Sequence, residues 1–260
     1  MRRVLAALAL APLAWAQTSS SPALVSYTAN SIVNSASNVR GALAPNTIAT
    51  VYGTGLSYST QCGFYPMHTT GMMQTELAGA KVYVGAMAAP LYYVSPTQIS
   101  FLVPTELRPG DMDFFTTHDS LAGPHVRITL VDASPALYPS GPGTIASTHT
   151  DGTAITKANP AHPGEMVVLY ATGLGRTSPE FQTGTIELTA AQIQLLSQLT
   201  VTVAGVALDN RSIQYAGTTP GAPGVYQVNL VLPKQLAPDP EIRISIGAQL
   251  SPAGMRLPVH

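Results

Sequence analysis

The sequence is poor in charged residues. Asp, Glu, Lys and Arg make up only 10% of its 260 residues, whereas about 25% is usual for a soluble protein. The formal net charge is -1 at pH 7, and the basic residues form no stripe, which argues against nucleic acid and anionic membranes as partners. Hydrophobic residues make up 45% of the chain. That content is enough for a packed core, so the low charge does not predict disorder.

Cysteine and tryptophan each occur once. Cys62 has no second cysteine to pair with, which excludes an intrachain disulfide. Trp15 lies in an apolar N-terminal segment, so tyrosine is the main candidate for stacking on a ligand in the rest of the chain. Beyond that segment, no apolar run is long enough to cross a bilayer.

Residues 1–16 have the pattern of a secretory signal peptide. A basic start, Met1-Arg2-Arg3, precedes the apolar stretch Val4–Leu13, and Ala14-Trp15-Ala16 matches an A-x-A cleavage site. We therefore predict cleavage after Ala16 and a secreted or periplasmic protein. We expect no integral membrane segment in the mature chain.

One twelve-residue pattern occurs twice. Pro45–Leu56 and Pro163–Leu174 share Pro, Tyr, Thr, Gly and Leu at the same places, and each reads as a turn, a buried strand and a Thr-Gly bend. The strands predicted after each copy follow in the same order, which indicates a duplicated domain. We place a flexible lead-in at 17–26, the first domain at 27–137 and the second at 138–260.

The periodicity is that of an all-β protein. Gln98–Pro104 alternates apolar and polar residues, Gln227–Pro233 repeats that pattern, and Glu241–Ile246 alternates strictly and is expected to match Val126–Leu130 of the first domain. Short strands with Gly and Pro turns every 8–12 residues describe an immunoglobulin-like sandwich. One helix is predicted near 189–199, where a capping box precedes leucines at helical spacing.

Six segments together resemble a bacterial family: Asn34–Ser37, Pro45–Leu56, Ala89–Pro104, Ala158–Ala161, Leu169–Gly175 and Gly224–Leu230. The family is an uncharacterised C-terminal module of exported soil-bacterial proteins, the Solibacter-type C-terminal domain, related to IPT/TIG immunoglobulin-like domains. The resemblance covers nearly all of residues 27–260 and implies two tandem IPT/TIG-like β-sandwiches without an established activity. The loop at 57–74 and the segment near 189–199 depart from the pattern as insertions.

The loop at 57–74 holds several soft metal ligands. Cys62, His68 and Met72 have a spacing close to that of a blue-copper loop, and Met67 and Met73 add thioethers that favour copper(I). A blue-copper site needs a second histidine from an upstream strand, and no histidine precedes His68. A periplasmic copper-binding protein is therefore an alternative to a metal-free insertion whose methionines pack against the sandwich.

No motif predicts catalysis. The sequence has no Gly-x-Ser-x-Gly elbow for a nucleophilic serine. Asp111 and Asp113 form an Asp-x-Asp pair without the Gly and Glu of a calcium loop. Glu165 and Glu187 have no partner that would suggest glycoside hydrolysis. We expect a protein without enzyme activity and without a resident cofactor.

Tyrosines offer a possible ligand surface. Tyr83 lies between two valines and should point outward, and Tyr92 and Tyr93 must point to opposite faces of their strand. If Tyr83 and one of the other two shared a sheet face, they would form a platform for a sugar; cross-strand packing is the alternative. The leading interpretation is an exported module that binds a surface protein or glycan, with an accessory carbohydrate-binding module as a further possibility.

Overall fold

The computed structural model describes residues 24–63 and 71–260. The predicted signal peptide at 1–16 lies outside the described residues, as do Met67 and His68. In the described part, no helix has the length and apolar character needed to cross a bilayer.

The first domain is a sandwich of two antiparallel sheets. Its strands are β1 (Ile32–Asn34), β2 (Val39–Arg40), β3 (Ile48–Tyr52), β4 (Gln61–Cys62), β5 (Ala80–Val84), β6 (Met87–Ala88), β7 (Leu91–Ser95), β8 (Gln98–Leu102), β9 (Gly110–His118), β10 (Leu121–Ala122) and β11 (Val126–Leu130). One sheet has the order β2-β1-β3-β8-β7-β4. The other has the order β10-β9-β5-β6, with β11 also paired to β9.

The second domain repeats this plan. Its strands are β12 (Ala136–Leu137), β13 (Pro139–Gly141), β14 (Thr144–Ile145), β15 (Ser147–His149), β16 (Met166–Thr172), β17 (Thr177–Ser178), β18 (Gln192–Ile193), β19 (Leu199–Val203), β20 (Val206–Ala207), β21 (Ile213–Thr219), β22 (Ala222–Val231), β23 (Ile242–Ile246) and β24 (Gln249–Leu250). The large sheet has the order β12-β16-β22-β21-β18-β17, with β15 on β16, and the small one β20-β19-β23-β24. Two further strands, β13 and β14, form a hairpin. Short 3₁₀ turns lie at Ala29–Ser31, Leu196–Gln198 and Asn210–Ser212. The prediction of an all-β chain of two tandem sandwiches is confirmed.

Alternation along the strands builds each core. In β8, Ile99 and Phe101 point inward and are fully buried, and Phe101 packs on Phe114 of the facing sheet with ring centroids 5.5 Å apart. In the second domain Val228 and Ile244 occupy the same kind of inward position. Each sandwich therefore has its own apolar core between its two sheets.

The domain boundaries lie earlier than predicted. Val25 is buried in the first core and Ser26 pairs with Thr54, so the end of the predicted lead-in belongs to the sandwich. Ala136 and Leu137 pair with β16, which places them in the second domain and not the first. The two boundaries shift for the same reason: each domain begins with a short segment that pairs with its copy of the repeated twelve-residue pattern.

The helix predicted near 189–199 does not form. Gln192 and Ile193 are a strand, and only Leu196–Gln198 makes a 3₁₀ turn. The backbone of Ala191 is hydrogen-bonded to Thr218 instead. The Ala191 N–H donates to the Thr218 hydroxyl, and the Thr218 N–H donates to the Ala191 carbonyl. Pairing with the sheet overrides the helical spacing, as tertiary contacts commonly do.

The closing strands match differently from the prediction. β23 pairs with β19 as β9 pairs with β5, so Glu241–Ile246 is the counterpart of β9 and not of Val126–Leu130. Leu43 pairs in parallel with Leu130, and Ala161 in parallel with Val259. The counterpart of β11 is therefore the C-terminal segment that ends near Val259.

The two sandwiches meet through an apolar cluster. Backbone hydrogen bonds between two loops also connect the domains. The Met73 N–H donates to the Gly184 carbonyl at 2.7 Å, and the Ile186 N–H donates to the Gly71 carbonyl at 2.9 Å. The members of the cluster are Ile48, Met73 and Leu102, with Tyr92, Tyr138, Ile186 and Val225 packed around them.

Candidate functional site

A row of three rings crosses the outer face of the small sheet in the first domain. Tyr83 on β5 stacks on Phe115 of β9, with centroids 4.7 Å apart and planes 10° from parallel. Phe115 stacks in turn on His125, just before β11, with centroids 4.4 Å apart and planes at 21°. We call these three residues the aromatic row.

Strand alternation places the row outside the core. Val82 and Val84 on either side of Tyr83 are fully buried, as is Phe114 beside Phe115. Since successive residues of a strand point to opposite faces, Tyr83 and Phe115 must face outward. The tyrosine and phenylalanine are half-buried, and the His125 side chain is 59% exposed.

Polar groups border the row. His125 Nδ1 lies 2.7 Å from Asp113 Oδ2, and the Thr129 hydroxyl donates to Asp111 Oδ1 at 2.8 Å. A carboxylate accepts hydrogen bonds, so Nδ1 of His125 donates this bond and Nε2 is left for other partners. Arg127 lies opposite Asp113 on the neighbouring strand and is exposed.

The stacking limits which ring surfaces a ligand can reach. Both faces of Phe115 are covered by its neighbours, so it offers its edge. His125 ends the row, with one ring face against Phe115 and its side chain 59% exposed. The row is therefore a ridge of ring edges with an open face at the His125 end, and not a flat platform.

The second domain provides an internal comparison. Tyr83 pairs with Ala88 and with Phe115, and in the matching sheet Thr202 pairs with Ala207 and with Arg243. Thr202 is thus the counterpart of Tyr83, and Arg243 of Phe115.

The third position and its carboxylate also match. Asp113 pairs with Arg127, and Glu241 with Arg256, so Gly254 corresponds to His125. The Gly254 N–H donates to Glu241 Oε1 at 2.7 Å, as His125 does to Asp113. The duplicated sheet keeps the carboxylate and the arginine but none of the three rings.

The predicted platform of Tyr83 with Tyr92 or Tyr93 does not form. Tyr83 lies in the small sheet, whereas Tyr92 and Tyr93 lie on β7 in the large sheet. The hydroxyl of Tyr92 donates to the carbonyl of Pro223 in the second domain, and burial raises the pKa of Tyr92 well above its usual value. Tyr93 is half-buried beside Cys62 on the edge strand.

The proposed copper ligands have different surroundings. Cys62 is an exposed free thiol on β4, and His68 lies outside the described residues. Met73 is 5% exposed within the cluster between the domains, and the Thr185 hydroxyl donates to the Met72 sulfur at 3.6 Å. In the part of the chain that the structure describes, no three His, Cys, Asp or Glu side chains form a group suited to a metal ion.

The cavity between the domains is small. It is lined by Thr105, Arg176, Glu180 and Thr219, among others, and its volume is about 30 Å³. A space of this size holds one or two water molecules and is too small for a sugar ring. This cavity is therefore not a sugar-binding site, whereas the aromatic row lies on an outer face of its sheet.

Comparisons with known proteins give distant likenesses. No family model matches the chain and no curated protein matches it, so the resemblance to the soil-bacterial module stays a prediction. Among solved structures, the glycan-binding protein SGBP-B of Bacteroides ovatus, in complex with a mixed-linkage heptasaccharide, is similar at 10% identity and a TM-score of 0.32, over 84% of this chain and 42% of that one.

Two other neighbours are extracellular or surface proteins. The plexin A4 extracellular region is similar at 10% identity and a TM-score of 0.29, over 96% of this chain and 20% of that one. Domains 5–6 of the S-layer protein SbsC are similar at 11% identity and a TM-score of 0.26, over 84% of this chain and 91% of that one. The chain spans less than half the length of the SGBP-B proteins that it matches.

Proposed function

We propose that this protein is an exported, non-catalytic glycan-binding protein and that the aromatic row contacts the sugar. The observation that carries the proposal is the difference between the duplicated sheets. The second domain builds the same sheet with Thr202, Arg243 and a glycine at the matching places. The fold therefore does not require the three rings of the first domain, and a ligand would explain them.

The chemistry of the row suits a sugar. Aromatic side chains provide apolar contact for a ligand, and a few placed polar groups fix its orientation. Here the open face of His125 would pack on a pyranose ring while Nε2 accepts from a hydroxyl. Asp111 and Asp113 offer further acceptors at the border of the row.

A role in binding rather than hydrolysis is supported by the same contacts. Glycoside hydrolysis needs one carboxyl group as an acid and another as a base or nucleophile. Asp113 is hydrogen-bonded to His125 and Asp111 to Thr129, which uses these two carboxylates to position neighbouring side chains at the border of the row. The pattern of a signal peptide at 1–16 supports export.

The test exchanges the row for the residues of the second domain. The triple variant Tyr83→Thr, Phe115→Arg, His125→Gly and the wild type are run in native gels containing β-glucan, xylan, galactomannan or pectin. We expect at least one polysaccharide to retard the wild type and not the triple variant. The control is Tyr52→Thr, which removes a tyrosine that is 40% exposed on the other sheet and should leave the retardation unchanged.

Circular dichroism and thermal unfolding of the triple variant show whether it is folded. A folded triple variant that is retarded as strongly as the wild type contradicts the assignment of the surface. If none of the polysaccharides retards the wild type, glycan binding of these classes is rejected.

A further inference from the structure

Each sandwich has a shallow groove at the same place in its fold. The grooves lie beside the closing segment of the domain, β11 in the first and its C-terminal counterpart in the second, and they have similar volumes of about 280 and 270 Å³. The first is lined by Ala29, Asn30, Ile32, Arg40, Gly41, Ala42, Arg127, Ile128 and Thr129, and the second by Pro142, Gly143, Thr144, Lys157, Asp239, Gly254, Arg256 and Pro258.

The grooves match through the duplication. Arg127 and Arg256 are counterparts, because they pair with Asp113 and Glu241 respectively. The second cation comes from the segment before the parallel bridge of each domain. Arg40 lies three residues before Leu43, and Lys157 four residues before Ala161.

Both grooves therefore contain two cations, although the chain has few. Arg40, Arg127, Lys157 and Arg256 are four of its 12 Lys and Arg residues. All four are exposed, and among the described residues none of them has a carboxylate oxygen within ion-pair distance. Carboxylates lie nearby without pairing to them, Asp113 opposite Arg127 and Glu241 opposite Arg256, so no direct ion pair occupies these cationic groups.

Neutral oxygens orient one guanidinium in each groove. Arg40 Nη1 donates to Asn30 Oδ1 at 2.7 Å, and Arg256 Nη1 donates to the backbone carbonyl of Asp239 at 2.8 Å. Such bonds hold the planar group in place and leave its remaining N–H donors and its charge for a ligand.

We propose that the two grooves are a repeated pair of oxyanion-binding sites, each taking one carboxylate, sulfate or phosphate group. A guanidinium binds such groups through two parallel hydrogen bonds, and the second cation adds charge. The first groove should bind more tightly, because the carboxylate of Asp239 lines the second and lowers its net charge. The proposal does not require the rings of the aromatic row, although Arg127 and Thr129 of the first groove lie at the border of that row.

The experiment follows the arginine Nε–H signals of the full mature chain by NMR after selective ¹⁵N labelling. Sodium sulfate is added, with sodium chloride at equal ionic strength as the reference. We expect saturable shifts for Arg40, Arg127 and Arg256. The arginines outside the grooves, Arg108, Arg176, Arg211 and Arg243, should not shift.

Variants separate a site from general screening. Arg127→Ala should weaken sulfate binding in the first groove about tenfold, the usual order for a lost charge-assisted bidentate contact. Arg127→Lys should recover only part of the loss, because lysine keeps the charge without the fork. Arg211→Ala, which removes an exposed arginine elsewhere, should leave both titrations unchanged.

Parallel titrations with inorganic phosphate and with galacturonic acid trimer distinguish a free inorganic anion from the carboxylates of a glycan. Tighter binding of the trimer would identify the carboxylates of an acidic glycan as the ligand, and equal binding would identify a free inorganic anion. Shifts that are linear, or that chloride reproduces, overturn the proposal. Saturable shifts in one groove alone overturn the claim that the site is repeated.

Discussion

The hydroxyl of Thr172 in the second sandwich accepts a hydrogen bond from the backbone N–H of Ile48 in the first, over 3.1 Å. It also donates to the carbonyl of Gly224 at 2.7 Å, and it is fully buried. Thr172 is the threonine of the Thr-Gly bend in the second copy of the repeated pattern. A residue of the repeat itself therefore forms a contact between the two domains.

Replacing Thr172 with valine should loosen the contact between the domains. Valine keeps the shape but leaves the Ile48 N–H without its partner, and a buried group left unpaired costs about 1–3 kcal/mol. Urea unfolding should show that loss. The matched control is Thr54→Val at the same place in the first copy, where the residue is exposed; equal losses in the two variants would contradict the interpretation.

A side chain at Gly224 should lower the stability of the protein. Its φ is +74°, and a Cβ would lie 2.5 Å from Leu102 Cδ1 and 2.7 Å from Ile48 Cγ1, both in the first domain. Gly224→Ala should therefore lose the roughly 1–2 kcal/mol of a left-handed alanine and a further 1–3 kcal/mol or so from overpacking.

Gly221 separates these two causes. It has φ +79° and open space around its Cβ position, so Gly221→Ala should show the backbone cost alone. Thermal unfolding of the two variants gives the difference. If the Gly224 variant is no less stable than the Gly221 variant, the domain interface accommodates the added methyl group without loss of stability.

Local patterns revealed the fold because each depends on a few neighbouring residues. The repeated Thr-Gly bend and the alternation of Gln98–Leu102 both appear where the sequence places them. The aromatic row cannot be predicted from the sequence alone, because it depends on the pairing register between strands that are far apart in the chain. Adjacent Phe114 and Phe115 indicate that one ring faces outward, but only the pairing of β9 with β5 brings that ring against Tyr83.

The tyrosine platform failed for a related reason. The chain passes from the small sheet at β6 to the large sheet at β7 within a few residues, and no local pattern distinguishes that crossing from an ordinary hairpin. Tyr83 and Tyr92 therefore belong to different sheets. Tyr92 became an interface residue because its strand faces the second domain.

Met73 should contribute to stability through packing. It is 5% exposed between Ile48 and Leu102, and truncating a buried methionine to alanine costs about 2–5 kcal/mol. Met73→Ala should therefore lower the urea midpoint clearly, and Met72→Ala, at a side chain that is 42% exposed, should lower it less. Equal effects of the two variants would contradict a packing role for Met73.

The pair of His149 and Glu165 should make stability depend on pH. Nδ1 of His149 is hydrogen-bonded to a carboxylate oxygen of Glu165, and the other oxygen accepts from the His162 N–H at 2.8 Å. The bond to Glu165 raises the pKa of His149 above its usual value, with the Asn159 carbonyl and Asp151 acting in the same direction against desolvation.

A histidine whose pKa is higher in the folded state stabilises the protein when it is protonated. The stabilisation is complete below the unfolded value of about 6.5 and is lost as the pH rises through the raised folded-state pKa. Wild type should therefore be more stable than Glu165→Gln at pH 5.5, and the gap should shrink by pH 9. Melting temperatures of both proteins across this range test it, and a gap that stays constant or widens toward pH 9 would show that the pair does not carry the proton-linked stability.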